Sequence, residues 1–91
     1  MRKAIVIDSK DNVATALTEI SSGEVVEIKI GKIVKNIQAK STIPFGHKLA
    51  IKRIEKGEAV IKYGETIGRA TRTIEEGEHA HIHNIESTRG R

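Results

Sequence analysis

The fold of this chain is decided by a short phrase that occurs three times. It first reads Ile20-Ser21-Ser22-Gly23-Glu24-Val25-Val26, and it returns with related residues at positions 54–60 (IEKGEAV) and 74–80 (IEEGEHA). In each copy an isoleucine is followed by a tight turn that closes at a glycine and by the start of a strand. The copies are unevenly spaced, which excludes a solenoid because solenoids need a fixed period. Three such turns predict a compact, bent β-structure whose strands cross a shared core.

One short helix is expected before the first copy. Residues 8–11 (DSKD) supply capping side chains, and Val13, Leu17 and Ile20 then follow at the i, i+4 and i+7 positions of a helical stripe. The predicted fold class is therefore mainly β with one short helix.

The remaining segments are predicted to be strands, loops and a tail. A strand is expected at Ala4–Ile7, and hairpins are expected over residues 25–37, with the break at Gly31, and over residues 61–70. Residues 41–46 contain the only proline and are expected to form a loop. The chain is predicted to form one domain over residues 1–86 with a polar tail over residues 87–91.

Length and composition limit what the chain can be. Ninety-one residues, of which 37% are apolar, make one small domain, and a complete catalytic cleft would be unusual at this size. Without cysteine there are no disulfides, thiolate metal sites or cysteine nucleophiles. No apolar run approaches the roughly 18 residues of a membrane span, so we expect no membrane association and a cytoplasmic location.

The charge pattern argues against nucleic acid as a partner. The net charge of +4 comes from 16 Lys and Arg against 12 Asp and Glu, but bases and acids alternate, as in residues 52–58 (KRIEKGE). The chain also lacks the aromatic residues on which single-strand binders stack bases. A solvated surface of mixed charge is the simplest interpretation, and a small anionic substrate is compatible with it.

Three of the four histidines alternate in one stretch. If residues 79–85 (HAHIHNI) form a strand, His79, His81 and His83 share one face, and Ala80 and Ile82 pack inward on the other. Alternate strand residues are about 6.6 Å apart, so one metal ion would bind one or two of these imidazoles and not easily three. The alternative is a polar strand face that happens to be rich in histidine.

Two further pairs are candidate site residues. His47 and Lys48 follow a glycine turn and make a candidate acid/base or anion-binding pair, or a loop histidine beside a surface lysine. Asp11 and Asn12 are adequately explained as helix-capping residues. From the residues alone, the prediction is a metal or substrate site without a named reaction.

Four blocks, taken together and in order, resemble the amino-terminal SAF domain of the altronate dehydratase family. They are residues 10–14 (KDNVA), 46–48 (GHK), 60–68 (VIKYGETIG) and 77–84 (GEHAHIHN). The wider group includes galactarate dehydratase and the small subunit of sulfolactate sulfo-lyase. The resemblance covers nearly the whole chain and implies an SAF-type β-clip fold.

The resemblance also implies a reaction and site roles. Family members eliminate water, or sulfite in the sulfo-lyase, from a 2-hydroxy acid, and the resulting enol becomes a 2-keto acid. The implied cofactor is a divalent metal, Fe²⁺ first and Mn²⁺ as the alternative, held by one or two of the three alternating histidines. The resemblance assigns catalysis to His47 and Lys48 and binding of a small anionic sugar acid to the following residues: Asp11, Asn12 and Asn84.

The chain departs from the family pattern in two respects. Altronate dehydratases tend to have a histidine shortly before the Asp-Asn pair, where this chain has Asp8. This difference implies either a carboxylate in the place of the imidazole or a different substrate. In fused family members a large domain follows, whereas this sequence stops at Arg91, so a separate large catalytic subunit is the expected partner.

Three functions remain open at this point. The first is the small subunit of an altronate-type dehydratase that gives a 2-keto-3-deoxy acid. The second is the small subunit of (2R)-sulfolactate sulfo-lyase, which differs in the leaving group. The third is a non-catalytic carbohydrate-binding SAF module, which the clustered histidines disfavour.

Overall fold

A computed structural model describes residues 3–88 and shows nine strands and no helix in that range. The strands are β1 (Ala4–Ile5), β2 (Val13–Ala16), β3 (Val25–Ile30), β4 (Ile33–Gln38), β5 (Lys48–Ala50), β6 (Ala59–Lys62), β7 (Glu65–Ala70), β8 (His79–Ala80) and β9 (Ile85–Ser87). The prediction that strands dominate is confirmed.

The strands form three small antiparallel sheets. β1, β2, β5 and β8 form a four-stranded sheet in that order, β3 and β4 form a hairpin, and β6, β7 and β9 form a three-stranded sheet. The predicted hairpins are confirmed as β3–β4, which turns at Gly31, and β6–β7, which turns at Tyr63 and Gly64. Within residues 3–88 no helical segment has the length and hydropathy that crossing a bilayer requires.

The predicted short helix is wrong, because its first half is strand β2. Val13–Ala16 pairs with β1 on one side and with β5 on the other, so both backbone edges are used in the sheet. Val13 and Ile20, which a helix would place on one stripe, lie in different apolar clusters, and Leu17 is 45% exposed. Tertiary pairing of a β-branched segment has overridden the helical spacing.

At the carboxyl end, strand pairing continues past the predicted domain boundary at residue 86. Glu86 pairs with Arg69, and Ser87 pairs with Gly68, within the β7–β9 ladder. Residues 89–91 of the predicted tail lie outside the described residues.

The repeated phrase begins four residues earlier than its isoleucine and occurs four times, not three. A fourth copy runs from Ala39 through Ile43 to Gly46, and all four copies read Ala-x-x-x-Ile-x-x-Gly. The alanines and isoleucines of this phrase are all buried: Ala16, Ala39, Ala50, Ala70, Ile20, Ile43, Ile54 and Ile74. The four glycines share a φ between 81° and 89°, a conformation that glycine adopts without strain.

The four copies pack as two pairs with the same hydrogen bonds. Ile20 and Ile43 exchange backbone hydrogen bonds of 2.9 and 2.8 Å, and Ile54 and Ile74 exchange two of 2.8 Å. In each pair, the glycine N–H of one copy donates to the alanine carbonyl of the other. The domain is therefore a pseudo-twofold arrangement of two turn pairs.

Two apolar clusters lie on either side of this arrangement. One gathers Ile20, Ile28, Ile37, Ile43 and Leu49, and the other gathers Val13, Ile54, Val60, Ile74 and Ala80, each with smaller neighbours. Strands β2 and β5 contribute to both clusters, since their alternating side chains point to opposite faces. This placement positions the amino end of β5, where His47 and Lys48 lie, beside β8.

Candidate metal and anion site

The turn that closes at Gly46 is the second of the four along the chain, and we call it the second turn. It differs from the other three at the residue after its glycine. In the other copies this residue is a glutamate whose Oε1 accepts a hydrogen bond from a backbone N–H at the start of the turn, at 3.0 Å for Glu24, 2.6 Å for Glu58 and 2.9 Å for Glu78. In the second turn the donor position is Pro44, which has no N–H. No capping acceptor is needed there, and His47 takes the place of the glutamate.

The predicted histidine strand is wrong beyond its first two residues. Strand β8 ends at Ala80, and residues 81–84 form a turn in which the Asn84 N–H donates to the His81 carbonyl at 3.0 Å. The fully buried side chain of Asn84 holds this turn: its Oδ1 accepts from the His81 N–H at 2.8 Å, and its Nδ2 donates to the His79 carbonyl at 2.9 Å. As a result Ile82 is 85% exposed and does not pack inward.

Three imidazoles lie close together, because β5 pairs with β8 and the turn follows β8 directly. His47 Nδ1 lies 2.9 Å from His79 Nε2, a hydrogen bond between two rings. The His47 ring stacks on the His81 ring with centroids 4.1 Å apart, and His79 stacks beside both at 5.1 and 5.5 Å. His83 is exposed at the edge of the group, with its ring tilted and 5.2 Å from that of His79.

The residues that fit a metal ion are His47, His79 and His81. One nitrogen of each lies within 4.8 Å of the other two, and bonds of about 2.0–2.1 Å to one ion need only a small further approach. His81 Nδ1 is buried and has no hydrogen-bonding partner within residues 3–88. Buried polar atoms normally have a partner, and a bound ion would supply one here. An all-imidazole set suits Fe²⁺ better than Mn²⁺, which prefers oxygen ligands.

Burial disfavours the charged forms of His79 and His81, and metal ligation requires the neutral imidazole. Burial lowers the pKa of His79 to about 4, with the nearby charged forms of His83, His47 and His81 adding to the effect. Burial, followed by His47 and Lys48, also lowers the pKa of His81.

A cavity of about 260 Å³ opens beside the histidines. Its lining consists of Lys48, Ile67, His81, Ile82, Ile85 and Ser87. The ammonium group of Lys48 is partly buried, and within residues 3–88 no hydrogen bond or ion pair reaches it. Burial lowers the pKa of Lys48, and the positive charge of Lys62 lowers it further. An anion in the cavity would offset both effects.

Asp11 and Asn12 are buried but lie away from the imidazoles. The Asn12 carbonyl accepts a hydrogen bond of 3.0 Å from the Ile51 N–H, just past the carboxyl end of β5, whereas His47 precedes the amino end of that strand. The Asn12 side chain joins β2 to β6 by accepting from the Ile61 N–H at 2.7 Å and donating to the Ala59 carbonyl at 2.9 Å. Asp11 accepts from the Gly64 N–H at 2.8 Å.

These bonds commit the side chains of Asp11, Asn12 and Asn84 to the fold, and their role in substrate binding stays a prediction. Asp8, which departs from the family pattern, lies against the same turn as Asp11. One of its carboxylate oxygens accepts from the Lys10 N–H at 2.8 Å, and the other lies close to Gly64.

Sequence reasoning missed two features of the site. The fourth copy of the turn phrase, in which proline and histidine replace the usual donor and acceptor, signalled that His47 has no capping role, but nothing local signalled its grouping with His79 and His81. The lowering of the Lys48 pKa by the charge of Lys62 could not be predicted from the sequence spacing. The two lysines lie on strands of different sheets, β5 and β6.

Fold and site together define a small all-strand domain that presents a cluster of imidazoles and a lysine-lined cavity. Within that class the chain belongs to the family described as the altronate/galactarate dehydratase SAF domain, whose profile matches residues 2–88. The resemblance read from the four sequence blocks is confirmed.

Curated relatives carry two kinds of name. The chain is 37% identical over 87 residues to altronate dehydratase of Bacillus subtilis, covering 96% of this chain but 17% of that protein. It is 39% identical to altronate dehydratase of Escherichia coli, covering 91% of this chain and 16% of the relative. It is 36% identical over 88 residues to (2R)-sulfolactate sulfo-lyase subunit alpha of Chromohalobacter salexigens, covering 93% of this chain and 94% of that subunit. The chain thus spans about a sixth of the altronate dehydratases but nearly all of the sulfo-lyase subunit.

Proposed function

We propose that this chain is the small subunit of a metal-dependent lyase that acts on a 2-hydroxy acid together with a separate large subunit. The observation that carries the proposal is the cluster of His47, His79 and His81 beside the Lys48 cavity. Relatives named as a dehydratase and as a lyase subunit support the reaction class.

The proposed reaction is an elimination next to a carboxylate. The carbon that bears the hydroxyl loses its proton, and that electron pair forms a carbon–carbon double bond. The leaving group departs from the next carbon with its own electron pair, as water once protonated or as sulfite. The enol then gains a proton at that carbon, loses its hydroxyl proton and becomes a 2-keto acid.

The residues of this chain supply charge and orientation for the reaction. His47, His79 and His81 would hold the divalent ion, and Asn84 would fix the turn that aims His81. When bound, such an ion supplies Lewis acidity at a substrate oxygen. Lys48 lines the cavity, where its ammonium group would stabilise the carboxylate and the negative charge that develops on it. An acid/base role for His47 remains the alternative to ligation.

Two substrates fit this reaction class. The sequence prediction was an altronate-type sugar acid, dehydrated to a 2-keto-3-deoxy acid, and relatives named altronate dehydratase support it. Sulfolactate is the second candidate, because the sulfo-lyase subunit alpha matches this chain over 94% of its own length.

The test is to purify this chain with its large subunit, load Fe²⁺ anaerobically and follow product formation from altronate, galactarate and sulfolactate. We expect a 2-keto acid from one of them, accompanied by sulfite in the case of sulfolactate. Replacing His81 with Ala should abolish product formation, whereas His83→Ala, a matched change at the edge of the cluster, should retain most of it.

An intact, iron-loaded complex that acts on none of these acids would contradict the proposal. Affinity of this chain for sugars without a partner, indifferent to His47→Ala and His81→Ala, would instead support the carbohydrate-binding module.

A further inference from the structure

The two hairpins of the domain differ in how their second strands are covered. Strands β4 and β7 hold equivalent places in the pseudo-twofold arrangement, since each leads to the alanine that begins a turn copy, Ala39 or Ala70. The outer side of β7 pairs with β9, whereas β4 pairs only with β3 within residues 3–88. The first hairpin therefore lacks the third strand that the second hairpin has.

A matching hydrogen bond marks where a third strand on β4 would begin. The Thr71 N–H donates to the Asn84 carbonyl at 2.9 Å, and the chain then runs along β7 as β9. In the first hairpin the Lys40 N–H donates to the Gly77 carbonyl, also at 2.9 Å. After Gly77, however, the chain leaves β4 and continues into β8, which pairs with β5. The edge of β4 is thus contacted at one end and not followed further.

The open part of this edge lies at Val34 and Asn36. The Ala39 N–H donates to the Glu24 carbonyl, and hydrogen bonds in an antiparallel pair fall at every second residue, so β4 bonds to β3 at its odd-numbered positions. The N–H and C=O groups of Val34 and Asn36 consequently point away from β3. In the described part of the chain no other backbone group hydrogen-bonds to them.

The side chains at the open end of the edge are apolar. Ile33 is 68% exposed and Val34 is 55% exposed, and they lie on opposite faces of the hairpin because successive strand residues alternate. An unpaired strand edge that also exposes apolar side chains is a ready template for pairing with another chain. A strand added here would bond to the backbone of β4 and cover both side chains.

A second copy of this chain fits the edge poorly. If two β4 strands paired so that Val34 of each copy faced Asn36 of the other, Lys35 would lie directly opposite Lys35 of the second copy. Like charges directly opposite each other destabilise an antiparallel pair. Residues 25–38 carry three lysines and one glutamate, so the two hairpins would also repel each other. The edge is therefore better suited to a strand of a different chain.

We propose that the outer edge of β4 binds an extended segment of the large subunit as a third strand, by the same kind of pairing that β9 makes with β7. The segment would carry apolar side chains against Ile33 and Val34 and no positive charge opposite Lys35. The inference rests on the proposed function and names the surface on which the partner docks. Gly77, at the end of this edge, is two residues before His79, so the docked strand would approach the segment that carries candidate metal ligands.

The first test is hydrogen exchange at single-residue resolution, on the 91-residue chain alone and on its complex with the large subunit. We expect the Val34 and Asn36 amides to exchange at least about tenfold more slowly in the complex, because they gain hydrogen bonds only there. The Lys35 and Ile37 amides, which bond to β3, serve as the internal reference and should be protected in both samples.

Two matched proline variants test the edge by affinity. Glu27 and Asn36 face each other across the hairpin, both are exposed, and the N–H of each points outward, at the β3 edge and the β4 edge respectively. Proline removes the N–H and is tolerated at a strand edge. Asn36→Pro should weaken association with the large subunit at least about tenfold, whereas Glu27→Pro should weaken it less than about threefold. The exchange measurement needs neither variant.

An intact complex in which the Val34 and Asn36 amides exchange as fast as in the chain alone would overturn the inference and leave the proposed function standing. Equal effects of the two proline variants would do the same. A dimer of this chain that protects these amides would make a second copy the occupant and overturn it as well. Failure of the two chains to associate would contradict the proposed function together with the inference. A complex that protects both amides but acts on no 2-hydroxy acid would support the inference and contradict the reaction only.

Discussion

At the residue scale, the site depends on a paired replacement in one of four similar turns. Three turns cap a backbone N–H with a glutamate, and in the second turn Pro44 removes the N–H while His47 replaces the glutamate. The fold does not need an acceptor at position 47, so that position is available for an imidazole.

If position 47 has no role in the fold, the second turn should accept the capping hydrogen bond that the other three turns form. In the double variant Pro44→Ser, His47→Gln, the new N–H and the glutamine oxygen can form the capping bond, which contributes about 1 kcal/mol and offsets the entropy lost with proline. Urea denaturation of the metal-free protein should therefore give an unfolding free energy within about 1 kcal/mol of wild type. A loss above about 2 kcal/mol would show that His47 serves the fold itself.

The lowered pKa of His79 predicts a pH dependence of stability. In the unfolded chain an imidazole binds a proton near its ordinary pKa of about 6.5, whereas folded His79 does so only near pH 4. Between these values the unfolded state binds more protons, so the unfolding free energy of the metal-free chain should fall as pH is lowered from about 6.5 to 4. Urea denaturation at several pH values should show a shallower slope for His79→Gln. An unchanged slope in that variant would refute the assignment.

At the element scale, the turn over residues 81–84 is what converts a histidine-rich segment into a cluster. The sequence predicted a strand because His79, His81 and His83 alternate, but Asn84 bonds to the backbone of His81 and His79 and ends β8 after two residues. Asparagine commonly forms such local backbone bonds, so Asn84 was the available signal for a turn.

Removing the Asn84 side chain should weaken both the fold and the cluster. Asn84→Ala leaves the His81 N–H and the His79 carbonyl without their side-chain partners in a buried place, at a cost of about 3 kcal/mol. Asn36→Ala, on the exposed face of β4, should cost less than about 0.5 kcal/mol. Comparable losses for the two variants in urea denaturation would contradict this role of Asn84.

Two turn glycines provide a further matched comparison. Gly57 and Gly77 have φ values of 89° and 86°, but a Cβ at Gly57 meets nothing within 4 Å, whereas one at Gly77 would lie 2.0 Å from the Gln38 carbonyl oxygen. Gly57→Ala should cost about 1–2 kcal/mol from backbone strain alone, and Gly77→Ala at least about 2 kcal/mol more. Thermal unfolding measures the difference, and equal midpoints would contradict the close approach at Gly77.

At the scale of the whole molecule, the sequence predicted more of the fold than of the site. The turns and hairpins were found because Gly23, Gly57, Gly77 and Gly31 mark them locally. The short helix was predicted wrongly because the pairing of β2 with β1 and β5 depends on residues distant in sequence. The partnership of His47 with His79 and His81 likewise depends on the pairing of β5 with β8, which no local pattern encodes.

The size of this domain limits what it could contribute to an enzyme. Its cluster presents three imidazoles and a cation, and in the relatives named altronate dehydratase the matching region is about a sixth of the chain. Under the proposed function, this chain would supply metal ligands and anion recognition, and a large subunit would supply the remaining groups.

We propose that His47, not His83, would complete a metal site with His79 and His81. The most direct test of this proposal is anaerobic titration of the metal-free 91-residue chain with Fe²⁺, comparing wild type, His47→Gln and His83→Gln at neutral pH. We expect one equivalent bound by wild type and by His83→Gln, and binding at least about tenfold weaker in His47→Gln. No binding by the wild-type chain, or a loss in His83→Gln as large as that in His47→Gln, would contradict the account.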